Sequence, residues 1–349
     1  MKKFFESFIV MSLMIMCVVF SCGNASASTP ADFAKLNPVK FSIGHTGALD
    51  SMNQSISLNI KNMLEKKSGG KITVDVFPNG QLGSDKDMLA SNKAGDITLH
   101  MASTGVLVND IPATNIIDIP FMFDNFASAC ATIEDKNFNS LFCKEFEKAG
   151  YKLVMTAPQS FRCLTSNKKI AGINDLKGMT LRTMDNANHI AFWKELGVNA
   201  TPLAFSEVYM SLQQGLLDAQ ENPYQTIYAS KFYEVQKYIT NSNHILQLNT
   251  VTMGLKKYNS LDPAYQKLIN EVMTEVSKIA NNEAVKSDKK YFNENLAKGC
   301  KFIDFDKISG MRKLLREKTI TSATKRLKGI VPEQLIDAYF KAAEKAKSK

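Results

Sequence analysis

The chain has 349 residues, of which 44% are hydrophobic and 22% charged, with a formal charge of +9. That composition excludes a fibrous or largely disordered chain, and the length suits two domains. The lysines are scattered and no aromatic platform runs between them, so no nucleic-acid partner is expected. The positive field is read as general steering of anions.

Residues 1–27 read as a secretory leader, with a basic start in "MKKFFES", the apolar run "FIVMSLMIMCVVF" and the small residues of "NASAS". Cleavage after Ala27 is expected, which places the mature protein outside the cytoplasm. Lipoprotein processing at Cys22 is the alternative, and bulky Phe20 speaks against it. The apolar run is shorter than the roughly 20 residues of a membrane span. Loss of Lys2, Lys3 and Glu6 lowers the charge by one, to +8. Four cysteines remain: Cys130, Cys143, Cys163 and Cys300. They allow three full pairings or four free thiols, and sequence does not choose.

From residue 39 strand and helix patterns alternate. "VKFSIGH" reads as a strand, and Met52, Ile56, Ile60, Met63 and Leu64 form one face of a helix. "SGGKITVDVFPNG" is a strand between turns, "DKDMLASNKAG" a helix closed by Gly95, and "DITLHMAS" the next strand. The β-α-β-α-β order predicts a mostly parallel sheet with helices on both faces. A second unit of the same kind begins near residue 160. Its strands are "CLTSNKKI", "MTLRTM", "VNATPL" and "AQENP", and its helices include "NANHIAFWKELG" and "FSEVYMSLQQGLLD". Between Pro263 and Gly299 no Gly or Pro interrupts the chain, so one long helix is expected to cross both units. Two more helices flank "GIVPEQ".

Known chemical motifs are absent. The histidines His45, His100, His189 and His244 form no HExxH or HxH, and no GxSxG, GxGxxG or phosphate loop occurs. No enzyme, cofactor or metal is expected. Polar residues instead gather where predicted strands end, which is where open α/β sheets bind ligands. Arg182 closes "MTLRTM", Ser103 and Thr104 follow "ITLHMA", Asn222 closes "DAQEN", and His45 follows "KFSIG". Arginine keeps its charge and presents a planar fork that matches a carboxylate. Read from position alone, Arg182 fits a surface pair with Asp185 or Glu221 equally well. Arg162, twenty residues upstream, is more readily a structural ion pair, and Phe205 core filler.

Four stretches resemble the DctP-type solute-binding proteins of tripartite ATP-independent periplasmic (TRAP) transporters. They are "SGGKITVDVFPNGQLGSDKDML", "STGVL" at 103–107, "FRCLTSNKKIAGINDLKGMTLR" and "TPLAFSEVYMSLQQGLLDAQENP". The resemblance runs from about residue 39 to 340. It implies an α/β, two-lobed periplasmic-binding-protein fold (type II-like). Each lobe is then a mixed, mostly parallel sheet flanked by helices, with a long helix spanning both. The implied lobes are 38–159 plus 248–287 and 160–247 plus 288–345, hinged near 158–161, 245–250 and 288. It further implies a monomer in the periplasm that closes on a small organic acid and delivers it to TRAP permease membrane subunits. By the same resemblance Arg182 is the main carboxylate clamp, Arg162 a second arginine on the same anion, Asn222 another carboxylate ligand and Phe205 a pocket wall. His45, Asp50, Asp85, Ser103 and Thr104 form the expected selectivity set of the first lobe. An uncharged Ser103 disfavours sialic acid. A sugar acid such as a uronate or aldonate is expected, with a C4-dicarboxylate next and presentation to a membrane sensor kinase as the alternative role.

Overall fold

The computed structural model describes residues 33–308 and 310–347, so the leader and its cleavage site lie outside the described residues. In chain order, β1 (Val39–Gly44), α1 (Met52–Lys67), β2 (Ile72–Phe77), α2 (Asp85–Ala94) and β3 (Leu99–Ser103) follow the predicted alternation. After 3₁₀ turns at Thr104–Val106 and Pro112–Asp118 come α3 (Phe126–Ile133), α4 (Lys136–Lys148) and the long strand β4 (Tyr151–Phe161). A single residue, Arg162, then separates β4 from β5 (Cys163–Ser166). Next are β6 (Thr180–Thr183), α5 (Ala187–Glu195), β7 (Asn199–Pro202), α6 (Val208–Gln213), β8 (Ala219–Asn222), α7 (Tyr224–Ala229) and β9 (Tyr238–Thr240). The chain returns through β10 (Leu246–Gly254) and α8 (Leu255–Asn259). It ends with α9 (Pro263–Ala297), β11 (Lys301–Ile303), α10 (Met311–Leu327) and α11 (Glu333–Lys347).

The strands form two sheets, ordered β2-β1-β3-β10-β4 and β11-β9-β5-β8-β6-β7. One strand in each runs against the rest. β10 is antiparallel to β3 and β4, and β5 is antiparallel to β8 and β9. The first sheet is therefore entered twice, by β4 leading out through Arg162 and by β10 coming back after residues 241–245. That second passage falls a few residues before the expected hinge, because β10 is already paired with β4 from Leu246 onward.

Local signals set the helices. Ser51 caps α1 by accepting from the Gln54 N–H, and Ser84 and Asp87 form a reciprocal capping box on α2. Asp262 caps α9 just ahead of Pro263. α9 has 35 residues, about 52 Å at 1.5 Å per residue. Its first part buries Tyr265, Leu268, Val272 and Val276 against the first sheet, while Tyr291, Phe292 and Leu296 pack on the second. It thus braces both sheets, as the uninterrupted stretch predicts.

α11 departs from expectation. It was expected with the second lobe, but Leu335, Ala338, Tyr339 and Ala342 join Phe138, Phe142 and Phe146 of α4 in the first-sheet core. The apolar stripe on α4 recurs every fourth residue and leaves a face that α11 covers. All four cysteines are free, and Cys163 and Cys300 are buried. Burial pushes the Cys130 and Cys163 thiols up to about 12. Among the described residues no helix is long and apolar enough to cross a membrane.

Candidate ligand-binding site

Between the sheets lies a cleft of about 620 Å³, counting its opening to solvent. That is within the range of small-molecule sites, roughly 300–1,000 Å³. Of the expected residues, Arg182, Arg162, Asn222, Phe205, Ser103 and Asp85 line it. His45 and Thr104 do not: both are buried beneath the wall, and His45 Nε2 is paired with Gln54 Oε1 at 3.0 Å. β3 ends at Ser103, and Thr104 opens the 3₁₀ turn that follows, with its side chain buried. Asp50 lies in a separate surface groove with Gln225 and Glu283.

Arg182 stands in β6 and is 3% exposed. Its Nε and Nη2 donate to the Leu203 carbonyl at 2.9 and 2.7 Å. Nη1 has no partner among the described residues, and no carboxylate lies within ion-pair distance. The surface pair with Asp185 or Glu221 is thus not formed. Burial, followed by repulsion from Arg162, lowers the guanidinium pKa to about 10. The Phe205 ring lies 5.8 Å from the guanidinium carbon and walls it on one side.

Arg162 is arranged differently from the expected second clamp. It is 1% exposed and grips both carboxylate oxygens of Glu221, with Nη2 to Oε1 at 2.8 Å, and it also donates to Gln247 Oε1. Its charge is already matched inside the protein. Glu221 takes further contacts from His244 Nε2 at 3.1 Å and His189 Nδ1 at 3.8 Å. Burial alone would raise the Glu221 carboxyl, but Arg162 and the two histidines hold it well below the usual carboxylate range. His244 accepts from Ser242 Oγ at 2.9 Å, and burial lowers its pKa, so it is neutral.

His189 is the opposite case. Its Nε2 lies 3.2 Å from Asp118 Oδ1. Burial works against its charge, but Asp118 and then Glu221 raise its pKa to about 9 from 6.5. Because the folded value is the higher one, this stabilisation is complete below about pH 6.5 and is lost as pH rises through about 9. We expect the wild type to lose stability between pH 7 and 9.5 by on the order of 1–3 kcal/mol more than His189→Gln. Parallel melting curves for the two proteins across that range would contradict the charged assignment.

Asn222 ends β8 with Nδ2 given to Gln220 Oε1 at 2.6 Å. On the opposite wall, Asp85 accepts from Thr46 Oγ1 at 3.1 Å. Sequence reasoning missed an amide chain there. Gln247 Nε2 donates to Asn249 Oδ1 at 3.0 Å, and Asn249 Nδ2 donates to Gln159 Oε1 at 3.1 Å and Asn53 Oδ1 at 3.3 Å. The signal was available in "LQLNT", where amides alternate with leucines. Such buried polar positions demand partners.

Two α/β lobes closed on a cleft that holds an unmatched guanidinium define a two-lobed solute-binding protein. The chain belongs to the DctP family, bacterial extracellular solute-binding protein family 7, whose model matches residues 43–319. It is 34% identical to a solute-binding protein of Verminephrobacter eiseniae over 242 residues, 69% of this chain and 72% of the relative. It is 27% identical to the 2,3-diketo-L-gulonate-binding periplasmic protein YiaO of Escherichia coli, over 72% of this chain and 75% of that one. Among solved structures, the galactonate complex of the sugar acid binding protein DctPAm from Advenella mimigardefordensis matches at a TM-score of 0.84 with 27% identity. That match covers 89% of this chain and 99% of the other.

Proposed function

We propose that the protein captures a sugar-acid monoanion in the cleft, with Arg182 as the carboxylate anchor, and hands it to the membrane subunits of a TRAP transporter in the periplasm. The observation that carries this reading is Arg182 itself, buried and bonded only to a backbone carbonyl. A buried charge without a partner is costly, and an entering carboxylate supplies that partner. Asn222 and Phe205 flank the anchor and fix the acid group, while Ser103 and Asp85 read the far end. The lobes close about Arg162 and residues 241–245, with α9 as the third connection.

Several features favour hydroxyls over a second carboxylate. Arg162 is neutralised by Glu221. The facing wall offers amides, hydroxyls and the carboxylate of Asp85. A dicarboxylate would bring its second charge toward Asp85 rather than toward an open cation. The ligands named for YiaO and for the Advenella protein are sugar acids as well. The test is a thermal-shift and calorimetric screen of galactonate, gluconate and glucuronate against succinate and malate. A hundredfold excess over Kd adds about 2.7 kcal/mol to stability, a shift of roughly 4 °C. Stabilisation by the dicarboxylates alone overturns the monoanion reading, and no response to any acid overturns capture.

A further inference from the structure

His100 sits within β3, 1% exposed, between the fully buried Leu99 and Met101. Buried polar atoms are nearly always hydrogen-bonded. Neither ring nitrogen of His100 has a well-formed hydrogen bond with another described residue. Its Nε2 instead faces Asp85 Oδ1 across 3.4 Å. Thr46 Oγ1 lies 3.1 Å from Oδ2 and 3.3 Å from Oδ1 of the same carboxylate. Asp85 opens α2, where the helix dipole favours an anion, and it lines both the cleft and the adjoining cavity that Asp110, Asp185 and Glu207 also line. The neighbouring His45 has its Nε2 engaged with Gln54, while its buried Nδ1 has no hydrogen-bond partner among the described residues.

We propose that His100 is a positioning residue for ligand selection: its Nε2–H holds Asp85 Oδ1, so that the carboxylate's remaining lone pairs face a hydroxyl of the bound acid. The inference rests on the sugar-acid reading above. An aspartate with one anchor can rotate about its Cβ–Cγ bond and present either oxygen to the cleft. Two anchors, Thr46 and His100, remove that freedom, and a group held in advance binds its partner more tightly than one ordered on binding. A histidine serving only as core filler would occupy the same volume without sensing Asp85.

The first arm of the test needs no ligand. Imidazole ¹⁵N NMR of the full chain should show His100 as the Nε2–H tautomer, with its resonances displaced by Asp85→Asn and not by Asp87→Asn. A Nδ1–H tautomer, or indifference to Asp85→Asn, overturns the proposal. The second arm is calorimetry with galactonate as the probe. His100→Phe should weaken binding about tenfold, and His100→Gln, which returns a donor near the Nε2 position, should recover most of it. In an Asp85→Ala background His100→Phe should cost nothing further. Equal losses for Phe and Gln, or an undiminished effect without Asp85, also overturn it. If the wild type binds neither galactonate nor another sugar acid, the sugar-acid reading fails instead, and the NMR arm still decides the His100–Asp85 contact.

Discussion

Arg182→Ala is expected to lower affinity for the captured acid more than a hundredfold. The guanidinium is the cleft's one cation without a carboxylate partner among the described residues. Its hydrogen bonds to a carboxylate, each worth roughly 1.5–3 kcal/mol, disappear together on truncation. Two such bonds exceed the 2.8 kcal/mol that a hundredfold represents. Arg182→Lys should fail nearly as badly. A lysine ammonium cannot give two donors to Leu203 and still present a planar fork to the ligand. Calorimetry decides both, and near-native affinity in either variant removes Arg182 from the anchor position.

Glu221→Gln is expected to be the most damaging single change to stability. Glu221 is fully buried and answers Arg162 directly, with His189 and His244 against the same carboxylate. Neutralising it leaves the Arg162 guanidinium without a carboxylate in a dry interior, while His189 keeps Asp118. Breaking a buried pair from one side costs about 3–5 kcal/mol, which for a chain of this size is roughly 4–8 °C in melting temperature. The double variant Glu221→Gln, Arg162→Met should recover part of that loss, because the orphaned charge is gone. A single variant melting within a degree or two of the wild type, read by calorimetry or circular dichroism, would mean that the network carries little.

Much of the frame was legible because it depends on local periodicity. The strand from Val39, the helical face of Met52 to Leu64, and the unbroken stretch from Pro263 all correspond to observed elements. What escaped depends on contacts distant in sequence. Nothing near Arg162 says that its partner is Glu221, 59 positions on, since β5 and β8 become neighbours only in the sheet. Arg162 stands just ahead of one predicted strand and Arg182 late in another, yet one is matched and the other left open, a difference of partner. His45 and Thr104 stood at promising strand ends but point away from the cleft wall. The packing of α11 on α4 likewise joins two amphipathic faces far apart in the chain.

The carbonyl that aims Arg182 belongs to the main chain. Whatever residue stands at 203, its peptide oxygen remains, so ordinary replacement of the side chain there leaves the clamp's direction intact. The opposite rim is built from side chains such as Asp85, Gln159 and Asn249, each open to exchange by a single codon. Descendants of this chain can therefore trade one acid for another by redrawing that rim, while the grip on the shared acid group stays in place.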